Sequence, residues 1–236
     1  MYMIPWGVLI LHVEAVVDSS QWDDRYSSTD LVWSAGPNRW VEEVVSELVP
    51  GTALDLAGGE GRNAVWLAEH GWRTTLVDFS QKALDRAERI AFERLDDDAT
   101  AVTAVCADLN EYVPPASAFD LVMLVYLQVP ADLRGHVVRM AASGVAPGGH
   151  LLVVAHHSRN LVDGVGGPQD PTVLYTAEDI ASDLGADGRA EVGLEVQRCE
   201  EVLRDVPGDS DTGPAIDVLF LARRPPTAPV ANNAHN

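Results

Sequence analysis

The sequence predicts a doubly wound α/β domain: a mostly parallel seven-stranded sheet whose C-terminal strand runs antiparallel. Three observations carry this prediction. From residue 40 onward, short apolar runs alternate with amphipathic stretches. A glycine-rich turn, Ala57-Gly58-Gly59-Glu60-Gly61, separates the first such run from the first amphipathic stretch. The last two runs are joined by Pro207 to Pro214, a link too short for a helical crossover but suited to a hairpin.

The elements follow in order. Residues 1–39 form an N-terminal extension. Its stretch Met1 to Val17 is apolar but holds His12 and Glu14, and no Lys or Arg precedes Arg25. It lacks the positive start of a secretory signal and falls short of the roughly 20 apolar residues of a membrane span. It reads as an extra strand or helix on the body, or as an addition from an upstream start codon. Strands are expected at Ala53–Ala57, Thr74–Val77, Ala101–Cys106, Leu121–Tyr126 and His150–Ala155. Between them lie helices Arg62–His70, Gln81–Glu93 with Ser80 as N-cap, and Ala131–Ser143 ended by Pro147-Gly148-Gly149. Ser158 to Val173 is a Gly-, Pro- and Asp-rich loop, of a length often put to functional use. Thr176 caps a short helix, and Leu194–Val206 and Ile216–Ala222 complete the sheet. One domain, 40–223, is expected, and 224–236 reads as a disordered tail.

With 36 acidic and 16 basic side chains the net charge is −20, so the surface field repels polyanions and a nucleic-acid partner is not expected. Two cysteines, Cys106 and Cys199, make neither a disulfide framework nor a metal cluster. A cytoplasmic protein with no metal and no membrane contact is expected, with Cys106 as a small core residue. Nothing in the sequence sets the oligomeric state.

The chemistry concentrates at three successive strand ends. The turn Gly58-Gly59-Glu60-Gly61 leads into Arg62-Asn63, where glycines permit close backbone approach and a helix N-terminus presents N–H groups to an anion; tight strand–helix packing is the other reading. Asp78, followed by Phe79 and Ser80, ends the second strand, where a carboxylate can accept from both ribose hydroxyls. Asp108, followed by Leu109, ends the third, within reach of an adenine amino group. Ligands of open α/β sheets bind at such strand ends.

Over roughly residues 40–223 the sequence resembles the class I S-adenosylmethionine-dependent methyltransferases. That family carries an acidic residue followed by Gly-x-Gly-x-Gly. Here the pattern is Asp55-Leu56-Ala57-Gly58-Gly59-Glu60-Gly61, with Ala57 in place of the first glycine. The resemblance implies S-adenosylmethionine as cofactor, a Rossmann-like sheet, and a cofactor lining of Asp55, Ala57, Gly58, Gly59, Gly61, Arg62, Asn63, Asp78, Phe79, Ser80, Asp108, Leu109 and Val125. More narrowly, Trp22-Asp23-Asp24-Arg25-Tyr26, Trp33 to Asn38 and Gly61 to Ala68 are similar to the bacterial tellurite-resistance and thiopurine (thiol) methyltransferases. That likeness implies that Trp22, Tyr26 and Trp33 close over the cofactor, ring faces toward the sulfonium; core packing is the alternative.

The acceptor should lie beyond the methyl group, at the ends of the fourth and fifth strands, where Tyr126 and His156 are the candidate catalytic groups. No Asn-Pro-Pro-Tyr motif follows the fourth strand, which argues against methylating nucleic-acid amino groups. A small molecule is expected, a thiol or other soft nucleophile first. Two other functions fit the turn and Asp78: a non-catalytic S-adenosylmethionine-binding module and an NAD-dependent oxidoreductase. The oxidoreductase lacks a Tyr-x-x-x-Lys set, since Lys82 is the single lysine.

Overall fold

The computed structural model describes residues 36–185, 193–206 and 213–227. The N-terminal segment holding Trp22, Tyr26 and Trp33, and with it most of the expected lid, lies outside the described residues.

Helix α1 (Arg39–Val45) precedes β1 (Thr52–Leu56), α2 (Arg62–Glu69), β2 (Arg73–Asp78), α3 (Gln81–Leu95), a 3-10 turn, β3 (Val102–Cys106), β4 (Phe119–Val125), α4 (Ala131–Gly144) and β5 (Val145–His156). One helical turn, α5 (Asn160–Asp163), is followed by α6 (Ala177–Asp183), β6 (Glu195–Arg204) and β7 (Ala215–Arg223). The strands form one seven-stranded sheet in the order β3-β2-β1-β4-β5-β7-β6. Only β7 runs against its neighbours β5 and β6. The order reverses between β1 and β4, which opens a crevice at the carboxyl ends of the strands.

The central strands are buried on both faces, as expected when helices cover both sides of a parallel sheet. Leu54, Leu56, Val122 and Leu124 face Val137, Val138 and Ala141 of α4 and Ile180 of α6. Ala53, Leu121 and Met123 point the other way, toward Trp40, Val41 and Val44 of α1 and Trp66 and Leu67 of α2. Asp55 shares the face of Ala53 by the two-residue period of a strand. Thr176 caps α6 through a reciprocal box with Asp179, and the Ser80 hydroxyl accepts from Ala83 N at 3.2 Å, capping α3 as the sequence predicts.

Three expectations need correction. Strand β5 begins at Val145, so Pro147-Gly148-Gly149 lies inside it and does not end the helix as a separate turn. A bulge between β4 and β5 absorbs the sequence, and a Cβ on Gly149 would sit 2.9 Å from the carbonyl oxygens of Phe119 and Asp120, which no side chain tolerates. Cys106 is exposed, because β3 is an edge strand and the cysteine stands at its end. The tail departs later than expected: Arg224 exchanges backbone hydrogen bonds with Gly148 and Gly149, and its guanidinium donates to Val145 O and Ala142 O. Among the described residues, no helix is long and apolar enough to cross a membrane.

Candidate active site

The glycine turn is built from β1 outward. Asp55 is fully buried in β1, and neither carboxylate oxygen has a hydrogen-bond partner among the described residues. Burial pushes its carboxyl up to about 7; nearby Asp78 adds to the rise and Arg62 opposes it. Ala57 adopts a left-handed φ of 54°, so the departure from the family's glycine is conformational as well as a matter of one methyl. Gly58 is required by space: a Cβ there would lie 2.3 Å from Leu76 Cδ1 and 2.8 Å from the Asp55 carboxyl. Gly61 combines a φ of 74° with an approach to α3, where a Cβ would meet that of Ala87 at 2.8 Å. The turn packs strand against helix at Gly61 and brings the backbone of Gly58 close over Asp55.

Asp78 is buried at the end of β2 and ties two loops together. Its Oδ2 accepts from Gly59 N and its Oδ1 from Ser80 N, both at 2.9 Å. The glycine turn and the start of α3 are therefore referenced to one carboxylate. Phe79 is partly buried beside it, and the Phe79 carbonyl accepts from the Cys106 thiol. Asp108 is exposed past the end of β3, with Oδ1 taken by the backbone and side-chain nitrogens of Asn110 at 2.8 Å; Leu109 packs partly buried on the main core.

Arg62 opens α2 half-buried; burial pulls its pKa down, while Tyr126 and Asp55 pull it back up. Asn63 is buried at the start of α2. Its Oδ1 accepts from Asn38 N at 2.8 Å, while the Asn38 side chain caps α1 by accepting from Trp40 N and Val41 N. Asn63 is thus placed to anchor the N-terminal helix beside the turn.

A second cluster lies across the crevice, around Asp217 of β7. This carboxylate is fully buried. Its Oδ2 accepts from Trp40 Nε1 (3.0 Å), the Tyr126 hydroxyl (2.9 Å) and Arg204 Nε (2.7 Å). Its Oδ1 stands 3.4 Å from His156 Nδ1, the separation of an ion pair rather than of an aligned hydrogen bond. Burial alone would raise the Asp217 pKa, but His156, Arg204 and Trp40 outweigh it and hold the group at about 2. His156 and Asp217 are direct register partners on β5 and β7.

Tyr126 and His156 do converge, their rings stacked with centroids 4.6 Å apart. Tyr126 takes a left-handed φ of 59° just past β4, and Val125 sits before it at the strand end, partly buried. Burial and the Asp217 charge push the tyrosine hydroxyl up to about 12, so it stays protonated and donates to Asp217. Gln128 accepts from His156 N at 3.0 Å and donates to Val173 O at 2.7 Å, clipping the long loop to the strand end. His157 is buried, and its Nδ1 accepts from Arg159 N.

Sequence reasoning missed Asp217, Arg204 and Trp40. A signal existed: Asp217 is the one charge within the otherwise apolar run Ile216–Ala222, and a buried carboxylate requires partners.

Comparison with known proteins places the fold. Residues 53–149 match the methyltransferase domain family. The chain is 28% identical over 126 residues to the tRNA 5-carboxymethoxyuridine methyltransferase of Escherichia coli (strain K12), covering 52% of this chain and 47% of that protein. It is 29% identical over 143 residues to the glycine N-methyltransferase of Rattus norvegicus, covering 56% and 48%. The chain thus spans about half the length of these curated relatives. The magnesium protoporphyrin IX methyltransferase of Synechocystis PCC 6803, solved with bound SAM, superposes with a TM-score of 0.63 at 19% identity, covering 89% of this chain and 99% of that one. The fold is therefore that of the class I S-adenosylmethionine-dependent methyltransferases, with a methyltransferase domain matched over residues 53–149.

Proposed function

We propose that this chain is an S-adenosylmethionine-dependent methyltransferase acting on a small molecule. The observation that carries the reading is Asp55, a buried carboxylate with two unpartnered oxygens beneath a glycine cradle. A buried carboxylate without a partner is costly. A ligand bearing an ammonium group removes that cost, and the amino-acid end of S-adenosylmethionine bears one. Asp78 at the end of β2 is the candidate partner of the ribose hydroxyls, and Asp108 past the end of β3 that of the adenine edge. When bound, the cofactor supplies an electrophilic methyl group on a sulfonium; the protein's task is to hold and orient the acceptor and exclude water.

The acceptor end is the space bounded by Val125, Tyr126 and His156. The matched relatives act on acceptors as different as a tRNA nucleoside and glycine, by their names. The charge of −20 supports a small molecule over a polyanion. The likeness to thiol methyltransferases points to a soft nucleophile as the first acceptor class to assay. Calorimetry should show S-adenosylmethionine binding more tightly than NAD, and a panel of thiols, phenols, amines and an unmodified tRNA transcript should show turnover confined to small molecules. Tighter NAD binding overturns the cofactor, turnover of tRNA alone overturns the acceptor, and binding without any turnover favours the sensing module.

A further inference from the structure

We propose that Asp217 is the positioning residue of a proton-accepting histidine: it turns Nδ1 of His156 into a buried carboxylate and leaves Nε2 for the acceptor, whose nucleophile therefore carries a proton, as a hydroxyl or an amine does. This rests on the methyltransferase reading and deepens it. Four contacts fix the imidazole. Asp217 lies 3.4 Å from Nδ1, the buried ring nitrogen. The Tyr126 ring covers one face at 4.6 Å and an interplanar angle of 20°. Gly167 of the long loop comes so close that a Cβ there would stand 2.9 Å from the imidazole Cγ and Nδ1. Gln128 holds the His156 backbone N–H. The Nε2 edge has no partner among the described residues, and the side chain keeps 14% of its exposure.

The surrounding charges suit this role. Asp217 receives Arg204 from β6, Trp40 from α1 and Tyr126 from just past β4, which keeps it ionised opposite Nδ1. Arg62 of α2 is the nearby cation whose charge acts on both Tyr126 and Asp55. A carboxylate behind a histidine selects the Nδ1–H tautomer and stabilises the imidazolium that forms when Nε2 takes a proton. In the transfer, the acceptor's O–H or N–H proton passes to Nε2 and later to solvent. The electron pair left on the acceptor forms the bond to the methyl carbon, and the pair of the broken methyl–sulfur bond stays on sulfur. A thiol, with a pKa of about 8.5, already supplies a few per cent of strongly nucleophilic thiolate near neutral pH and depends far less on such a device.

The test has two arms. In the ligand-free, full-length protein labelled with 15N-histidine, His156 is assigned by comparison with His156→Gln. Its neutral form should be the Nδ1–H tautomer; an Nε2–H tautomer overturns the proposal. In the second arm, Asp217→Asn should lower turnover of hydroxyl or amine acceptors about 100-fold or more, with cofactor affinity unchanged. Should Asp217→Asn not fold, His156→Gln, with a less buried side chain, should show the same loss. Turnover confined to thiols and unchanged in either variant overturns the proposal. Failure to bind S-adenosylmethionine instead overturns the methyltransferase reading, and the tautomer still decides the pairing.

Discussion

Replacing Asp55 with asparagine should stabilise the ligand-free protein at pH 8 and weaken cofactor binding, two effects of opposite sign from one carboxylate. The carboxyl rises from 3.8 to about 7 in the folded state, chiefly through burial. Below pH 4 it is protonated in both states and costs nothing. As pH climbs toward 7 the unfolded chain releases the proton while the folded protein keeps it, so stability falls; above 7 the penalty is complete. A shift of about 3 units corresponds to about 4 kcal/mol. Asparagine escapes that penalty but leaves an unpartnered amide, at about 1–3 kcal/mol. The net gain at pH 8 is about 1–3 kcal/mol, and it should shrink by about 2–3 kcal/mol at pH 5. At about 2–4 °C per kcal/mol for a chain this size, the melting difference between variant and parent should move by several degrees between pH 5 and pH 8. Differential scanning calorimetry across that range measures it. A melting difference that does not change with pH would mean that Arg62 keeps Asp55 ionised throughout, and the argument for an ammonium site would fall. Titrating S-adenosylmethionine near pH 7 in buffers of different ionisation enthalpy should show proton release in the parent and none in Asp55→Asn.

Asp78→Asn should cost about 2–4 kcal/mol, since one amide oxygen cannot serve both Gly59 N and Ser80 N; faster hydrogen exchange at Gly59 reports it, and unchanged exchange contradicts it. Gly58→Ala should abolish cofactor binding and lower stability by about 1–3 kcal/mol, because its Cβ would press on Leu76 and Asp55; binding and melting at parental values would place the cradle elsewhere. Ala57→Gly relieves a left-handed alanine by about 1 kcal/mol against a comparable unfolded-state entropy cost, so melting should stay within a few degrees while Ala57→Val falls clearly lower.

The half of the site nearest β1, β2 and β3 was legible because its chemistry is local: each acid or glycine sits within a few residues of a strand end that the apolar pattern marks. Asp78 lies beside Ser80, and Asp55 lies two residues before the turn. The half around Asp217 was not legible for the same reason turned round. Trp40 and Asp217 meet across 177 positions, and Asp217 meets His156 only through the antiparallel register of β7 on β5. The strand boundary at Val145 was missed because a bulge places a Pro-Gly-Gly sequence inside a strand, where turn chemistry ordinarily ends one.

The residues that break local rules gather at the crevice. Two of the three non-glycine residues with positive φ among the described residues, Ala57 and Tyr126, stand just past β1 and β4, the two strands between which the sheet order reverses. Two of the fully buried carboxylates, Asp55 and Asp217, sit in apolar strands on either side of them. Each lowers stability on its own, by about 1–3 kcal/mol for a strained backbone and more for an unpaired buried charge. Asp217 accepts three hydrogen bonds on Oδ2 and faces His156 across 3.4 Å, which offsets its burial, and Tyr126 gains a hydrogen bond and a stacked imidazole against its backbone strain. Among the described residues Asp55 has no such compensation beyond the field of Arg62. The asymmetry argues that the burial of Asp217 is largely offset within the fold, and that the Asp55 side is completed by what binds there.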